Sequence, residues 1–280
     1  MEREPRAIRK SQPTMDGAGV RLRRAFGFGD SAESDPFLLL DDLRNDRAGD
    51  FVRGFPWHPH RGIETITYML EGHVEHQDSM GNKGVIGAGD VQWMTAGRGI
   101  IHQEMPVDEG DGRMGGFQLW TNLPAKDKML KPRYQDIGSS AIPERRLADG
   151  SVVRVIAGSF EGTLGPVEGI VTDPGYFDFQ LAPGADLLHR VDPRKTAFAY
   201  VFGGKGRIGE GPLVGDGSLV FLSPGDSVRF RAASDSEFRF LFCLGMGLGE
   251  PVAWRGPVVM NSDEELELAF RQLAEGSFLE

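Results

Sequence analysis

The sequence predicts an all-β chain of two similar barrel- or sandwich-like units with one helix near its C-terminal end. Three observations carry this. Short segments alternating polar and apolar residues recur throughout, among them "ETITYMLEG", "GDVQWMTAG", "GFQLWTNLP", "SVVRVIAGSF", "GYFDFQLAPG", "TAFAYVFGG" and "SEFRFLFCLG", and most are bounded by glycine. Glycine itself reaches 39 of 280 residues, about twice its usual share and without a collagen period, which suits many tight turns. The two halves also resemble each other. "IETITYMLEGHVEH" (63–76) and "KTAFAYVFGGKGRI" (195–208) share a strand, glycine, strand pattern, and "GVIGAGDVQWM" (84–94) resembles "LVFLSPGDSVRF" (219–230).

Taken in order, the N-terminal strands run to a polar, turn-rich stretch, "MLKPRYQDIGSSAIPERRLADGS" (129–151), which reads as a linker. The boundary is therefore placed near residue 135, giving an N-terminal unit over 1–135 and a C-terminal unit over 136–280. The last element, about 263–275, is the helix. Ser262 and Glu265 have capping-box spacing, Leu266, Phe270 and Leu273 form one apolar stripe, and Gly276 follows as a stop. A chain this long buries about three quarters of its unfolded surface, so a metal site would be functional rather than a staple.

Composition excludes several classes. With 31 basic and 41 acidic residues the formal charge is −10, which disfavours nucleic acid and anionic membranes as direct partners. No stretch approaches the 18 or so apolar residues of a membrane helix, and the N-terminus has no apolar leader core. The single cysteine, Cys243, lies in an apolar run, reads as a buried hydrophobe and fits a reducing compartment. A cytoplasmic protein is expected.

The chemistry concentrates in "FPWHPHRGIETITYMLEG" (55–72) and "GRGIIHQEMP". Alternate residues of a strand face the same way, so His58 and His60 share a face with Cα atoms about 6.6 Å apart, and His102 and Glu104 repeat the device. One such pair is more often solvated than a site; two point to metal. Three imidazoles and a carboxylate suit Fe(II), Mn, Co, Ni, Cu or Zn, and on an octahedral ion they leave two positions open.

Together "GFPWHPHRGIETITYMLEG", "GDVQWMTAGRGIIHQE", "QLWTNLPAKDKMLKPRYQDI", "WRGPVVMNSDEELELA" and "RRAFGFGDSAESDPFLLLDDL" resemble the pirins, bicupin proteins of the cupin superfamily. The resemblance covers nearly the whole chain. It implies two tandem jelly-roll-like cupin barrels, with one divalent ion, usually iron, held in the N-terminal cupin by His58, His60, His102 and Glu104. It also implies an activity: quercetin 2,3-dioxygenase-like cleavage of a flavonol by O2, with Glu104 as the catalytic proton acceptor. The alternative from the same resemblance is a metal- or redox-sensitive regulator that binds a transcription factor or metabolic enzyme. Trp57 and Gln103 depart from the residues expected in relatives and bear on the pocket rim. With two cupins in one chain, a monomer is expected.

Other residues have plainer readings. Glu64 shares strand parity with His58 and His60, making it a rival ligand or, more readily, a hydrogen-bond partner of a ligand imidazole. His73 and His76 fall on opposite faces of a strand and read as surface residues. His189 reads as a loop histidine, and "PAKDKMLKPR" as a solvated basic loop. Laying Gly72 on Gly204 sets His58 and His60 against Arg190 and Asp192, and matching the glycine-aspartate turns sets His102 and Glu104 against Phe238 and Phe240. The second cupin is thus expected to be structural. Phe37, Phe55 and Gln118 are expected near the metal.

Overall fold

The structure, a computed structural model described for residues 1–107 and 113–280, is dominated by antiparallel strands. Its one helix longer than a single turn, among the described residues, is Asp263–Glu275. The helix begins as its sequence requires: the Ser262 hydroxyl accepts from the Glu265 backbone N–H at 3.3 Å, and the Glu265 carboxylate accepts from the Ser262 N–H at 3.2 Å. Gly276, at φ 80°, ends it in the left-handed conformation.

Contacts divide the chain into two compact units, one of residues 13–32, 37–139 and 248–280, the other of residues 1–12, 33–36 and 140–247. One break falls at 139/140, and each unit also includes a distant terminal segment. Strand Pro5–Lys10 pairs with Ser218–Leu222, supplying an edge of the C-terminal unit. The C-terminal helix, assigned from sequence to the second unit, packs in the first: Leu266, Ala269 and Phe278 bury themselves against Val258 and Met260. Alternation marks a strand or an apolar stripe without naming its partner, so a linear boundary cannot express such an arrangement.

In the N-terminal unit a seven-stranded sheet runs Arg133–Ile137, Val91–Thr95, Ile63–Glu71, Gly115–Asn122, Phe37–Asp42, Val20–Phe26, Gln12–Asp16. A four-stranded sheet runs Phe55–His60, Ile100–Val107, His73–Asp78, Lys83–Ile86. Thr67 and Gln118 of the larger sheet reach Glu104 of the smaller one, so the inner faces meet there. The sheets remain open at their hydrogen-bonded edges rather than closing into a barrel, which is a jelly-roll-like arrangement.

The C-terminal unit repeats the pairing plan. Strand Lys195–Ile208 spans what are two strands in the first unit, Ser218–Leu222 and Phe238–Met246 flank its first half, and Val214–Gly215 and Ser227–Ala232 flank its second. Strand Asp186–Arg190 pairs with Ser227–Ala232 as Phe55–His60 pairs with Ile100–Val107. The counterpart of Gly89–Asp90 is therefore Gly215–Asp216 and not Gly225–Asp226, and the sequence match of His102 and Glu104 to Phe238 and Phe240 was one strand too far. His58 faces His102 and His189 faces Val228 across the equivalent ladders, so the positions of His58, His60, His102 and Glu104 are taken by His189, Val191, Val228 and Phe230.

Aromatic rings fill this unit. Phe179 and Phe240 stack at 5.1 Å between ring centres, and both are fully buried. Truncating Phe179 to Ala removes those contacts and leaves a cavity, so the urea midpoint should show a loss of about 3–5 kcal/mol. A loss below about 1 kcal/mol would mean that the core collapses around the gap.

Candidate metal centre

Strand geometry brings the histidines together. His58 and His60 project from one face of Phe55–His60, and His102 is the direct cross-strand partner of His58. The ring centres lie 4.9 Å (His58–His60), 4.3 Å (His58–His102) and 5.0 Å (His60–His102) apart, and one potential ligand nitrogen from each lies within 4.8 Å of the others. The Nδ1 of His58 is 2.8 Å from the Pro56 carbonyl, and that of His60 is 3.2 Å from the Pro257 carbonyl. A carbonyl only accepts, so both Nδ1 atoms carry the proton and both Nε2 lone pairs are left for a cation. His102 is 1 % exposed and, among the described residues, neither of its nitrogens has a hydrogen-bond partner. Burial holds His60 and His102 well below the ordinary imidazole pKa, with the neighbouring imidazoles adding to it. Neutral, pre-oriented, under-satisfied imidazoles at one point are what a divalent ion requires.

Glu104 lies outside the mutually close nitrogen set but lines the same pocket. A register shift between His102 and Glu104 sets the carboxylate opposite Phe55. The Thr67 hydroxyl donates to its Oε1 at 3.0 Å, and the Gln118 amide nitrogen is 3.5 Å from Oε2. The cavity measures about 600 Å³, with His58, His60 and Glu104 on one part of its wall and Phe28, Trp57, Trp120 and Trp254 on others. Phe55 and Gln118 line it as expected, whereas Phe37 is buried in its sheet away from it. Trp57 is half exposed at the mouth, and Gln103 bonds Gln77 instead. A bidentate Arg24–Asp41 pair, at 2.8 and 2.6 Å, forms a polar section of the wall. Burial pushes Asp41 up to about 6 against the pull of that guanidinium.

Two side chains sit differently from their sequence reading. Glu64 accepts from Trp93 Nε1 (3.1 Å), Thr95 Oγ1 (2.7 Å) and Thr121 Oγ1 (3.3 Å), so it anchors the larger sheet and bonds no imidazole. His76 is buried rather than on the surface: it is the cross-strand partner of Glu104, its ring lies 5.2 Å from that of His102, and neither of its nitrogens is hydrogen-bonded. Parity counted back from Glu104 through the ladder would have found it.

The strand that carries the histidines is clamped from behind by the C-terminal segment, which no sequence motif signalled. Arg61 donates to Gln272 Oε1 and to the Phe278 carbonyl, both at 2.6 Å, and its guanidinium lies 4.1 Å from the Phe278 ring centre. Lys128, in the segment read as a solvated loop, is buried and donates to the carbonyls of Gly62 and Val259 at 2.9 Å each and to Asn122 Oδ1 at 2.7 Å. Replacing Lys128 with Met strands three acceptors, and a loss of about 3 kcal/mol in denaturant titration is expected. An unchanged midpoint would mean that water replaces the ammonium.

A family profile described as Pirin matches residues 19–121, and one described as Pirin C-terminal cupin domain matches residues 176–279. The chain belongs to the pirin family. A pirin-like protein of Caulobacter vibrioides is 48% identical over 272 residues, 97% of each chain. Human pirin is 40% identical over 263 residues, covering 92% of this chain and 88% of that one. Among solved structures, quercetin 2,3-dioxygenase from Acinetobacter baumannii superimposes with a TM-score of 0.91 at 30% identity over 99% of both chains. The chain accordingly has the two cupin domains of a pirin, and the three-histidine cluster lies within the residues matched by the first profile. Among the described residues, no helix is long and apolar enough to cross a membrane.

Proposed function

We propose that this pirin is a metal-dependent dioxygenase that opens the central ring of a flavonol such as quercetin, with O2 as oxidant and carbon monoxide as a product. The observation that carries the reading is the convergence of His58, His60 and His102 beside a cavity that also presents a carboxylate. His58, His60, His102 and Glu104 would hold the ion, for which Fe(II) is the first candidate. When bound, it supplies Lewis acidity toward a phenolic oxygen and positions open to small ligands.

The chain's own residues do the rest. Glu104 accepts the proton of the flavonol 3-hydroxyl, and Thr67 and Gln118 hold its carboxylate in place. Phe28, Trp57, Trp120 and Trp254 offer aromatic faces for a planar polycyclic substrate, and the Arg24–Asp41 pair offers partners for its outlying hydroxyls. A cavity of about 600 Å³ falls within the range of small-molecule sites, which favours an enzyme over a regulator whose ion only shapes the surface. The buried lone thiol of Cys243 supports a reducing, cytoplasmic setting.

The test is metal analysis of the freshly purified protein, followed by anaerobic addition of quercetin and then oxygen. Oxygen-dependent loss of the flavonol absorption band, in proportion to metal content, is the expected result. A fully loaded protein that leaves the band intact would overturn the proposal.

A further inference from the structure

The C-terminal cupin was read from sequence as structural, yet it contains a cavity of its own. The space measures about 470 Å³ and is walled in part by Leu164, Val167, Phe177, Leu244 and His189, a size within the range of sites for small molecules. His189 is 7 % exposed and lies on strand Asp186–Arg190 rather than in a loop. Its ring packs among Phe160, Phe177, Phe179 and Phe242, with centres 5.2 to 6.0 Å away. No hydrogen bond to its nitrogens occurs among the described residues, and neither nitrogen is a fully enclosed atom, so the polar edge of the ring is reachable from the cavity it lines. Such a group is ordinarily satisfied by water or a ligand.

The ladder register explains why the group is there and what it can no longer do. His189 occupies the place of His58, but Val191, Val228 and Phe230 stand where the other three candidate ligands stand in the first cupin. One imidazole with three apolar neighbours cannot hold an ion, but it can donate or accept one hydrogen bond beside the Phe177 ring, which lines the same cavity. Burial pushes His189 down to about 4, so the ring is neutral at pH 7 and offers one donor and one acceptor. The charges along the cavity are mixed, Glu168, Asp173 and Asp192 against Arg190 and Lys195, with Lys195 paired to Asp173 at 2.6 Å and Asp192 to Arg194 at 2.6 Å, so the wall carries no excess of positive charge.

We propose that the C-terminal cupin carries a second small-molecule site, in which His189 hydrogen-bonds the hydroxyl of a small uncharged aromatic of the phenol class. It stands independently of the reaction assigned to the first cupin.

The test uses the full chain labelled with ¹⁵N-histidine, phenol as the probe and benzene as its matched control. Saturable movement of the His189 ring resonances with phenol is expected, with benzene weaker by up to about 10-fold, the worth of one hydrogen bond. H189F should abolish the phenol preference while leaving metal content and melting temperature unchanged, and H189Q, which keeps a donor and an acceptor, should retain much of it. Absence of saturable movement at His189, or equal phenol and benzene affinities in the natural protein, would overturn the proposal. A phenol preference that survives in H189F would overturn it equally.

Discussion

Changing His102 to Ala is expected to abolish metal retention and, with it, oxygen-dependent bleaching of quercetin. Of the three imidazoles His102 has the least alternative employment: it is fully enclosed, bonds no protein group, and faces both His58 and His60. Its removal strips one of the four candidate donors and leaves a cavity at the centre of the site, so the two remaining imidazoles and the carboxylate, no longer held around one point, should lose the ion during purification. Because the ring makes no protein hydrogen bond, the metal-free variant should differ from metal-free natural protein by no more than about 2 kcal/mol. Metal content by mass spectrometry and a urea titration of both apo forms separate the two effects. Full metal stoichiometry in the variant would show that the ion is held elsewhere.

Changing Glu104 to Gln should leave a protein of similar shape whose turnover falls by about 10²–10⁴, the usual contribution of a positioned proton acceptor. The amide still reaches Thr67 and Gln118, so the pocket wall is kept while basicity is lost. Metal content measured on the same sample separates loss of the base from loss of the ion. A variant that keeps the rate would remove Glu104 from the chemistry, and one that loses metal entirely would assign it to ion binding alone.

Legibility from sequence followed the range of the interaction. The His58/His60 and His102/Glu104 pairs are visible because a strand returns to the same face every second residue, and the helix is visible because its cap and stop are local. Glu64 obeyed the same parity and was misread, since it belongs to the next strand, across the Gly62 turn, whose inner face serves a different sheet. His76 reads from sequence as a surface residue because its significance lies in the ladder opposite Glu104, which only a paired register reveals. The match of Phe238 and Phe240 failed for a related reason: two glycine-aspartate turns look alike in sequence, and only hydrogen-bonded strand order tells them apart.

The clamp on Arg61 and His60 bears on how the protein is made. The Pro257 carbonyl that orients His60 lies 197 residues further along the chain, so the half of the molecule synthesised first must wait for the half synthesised last. During translation the C-terminal cupin already has strand Pro5–Lys10 at hand, whereas the histidine strand remains unbraced until residues 248–280 leave the ribosome. Contacts of such long sequence separation form slowly. Metal loading should therefore follow synthesis of residues 248–280, and ribosome-stalled chains lacking those residues should bind the ion poorly.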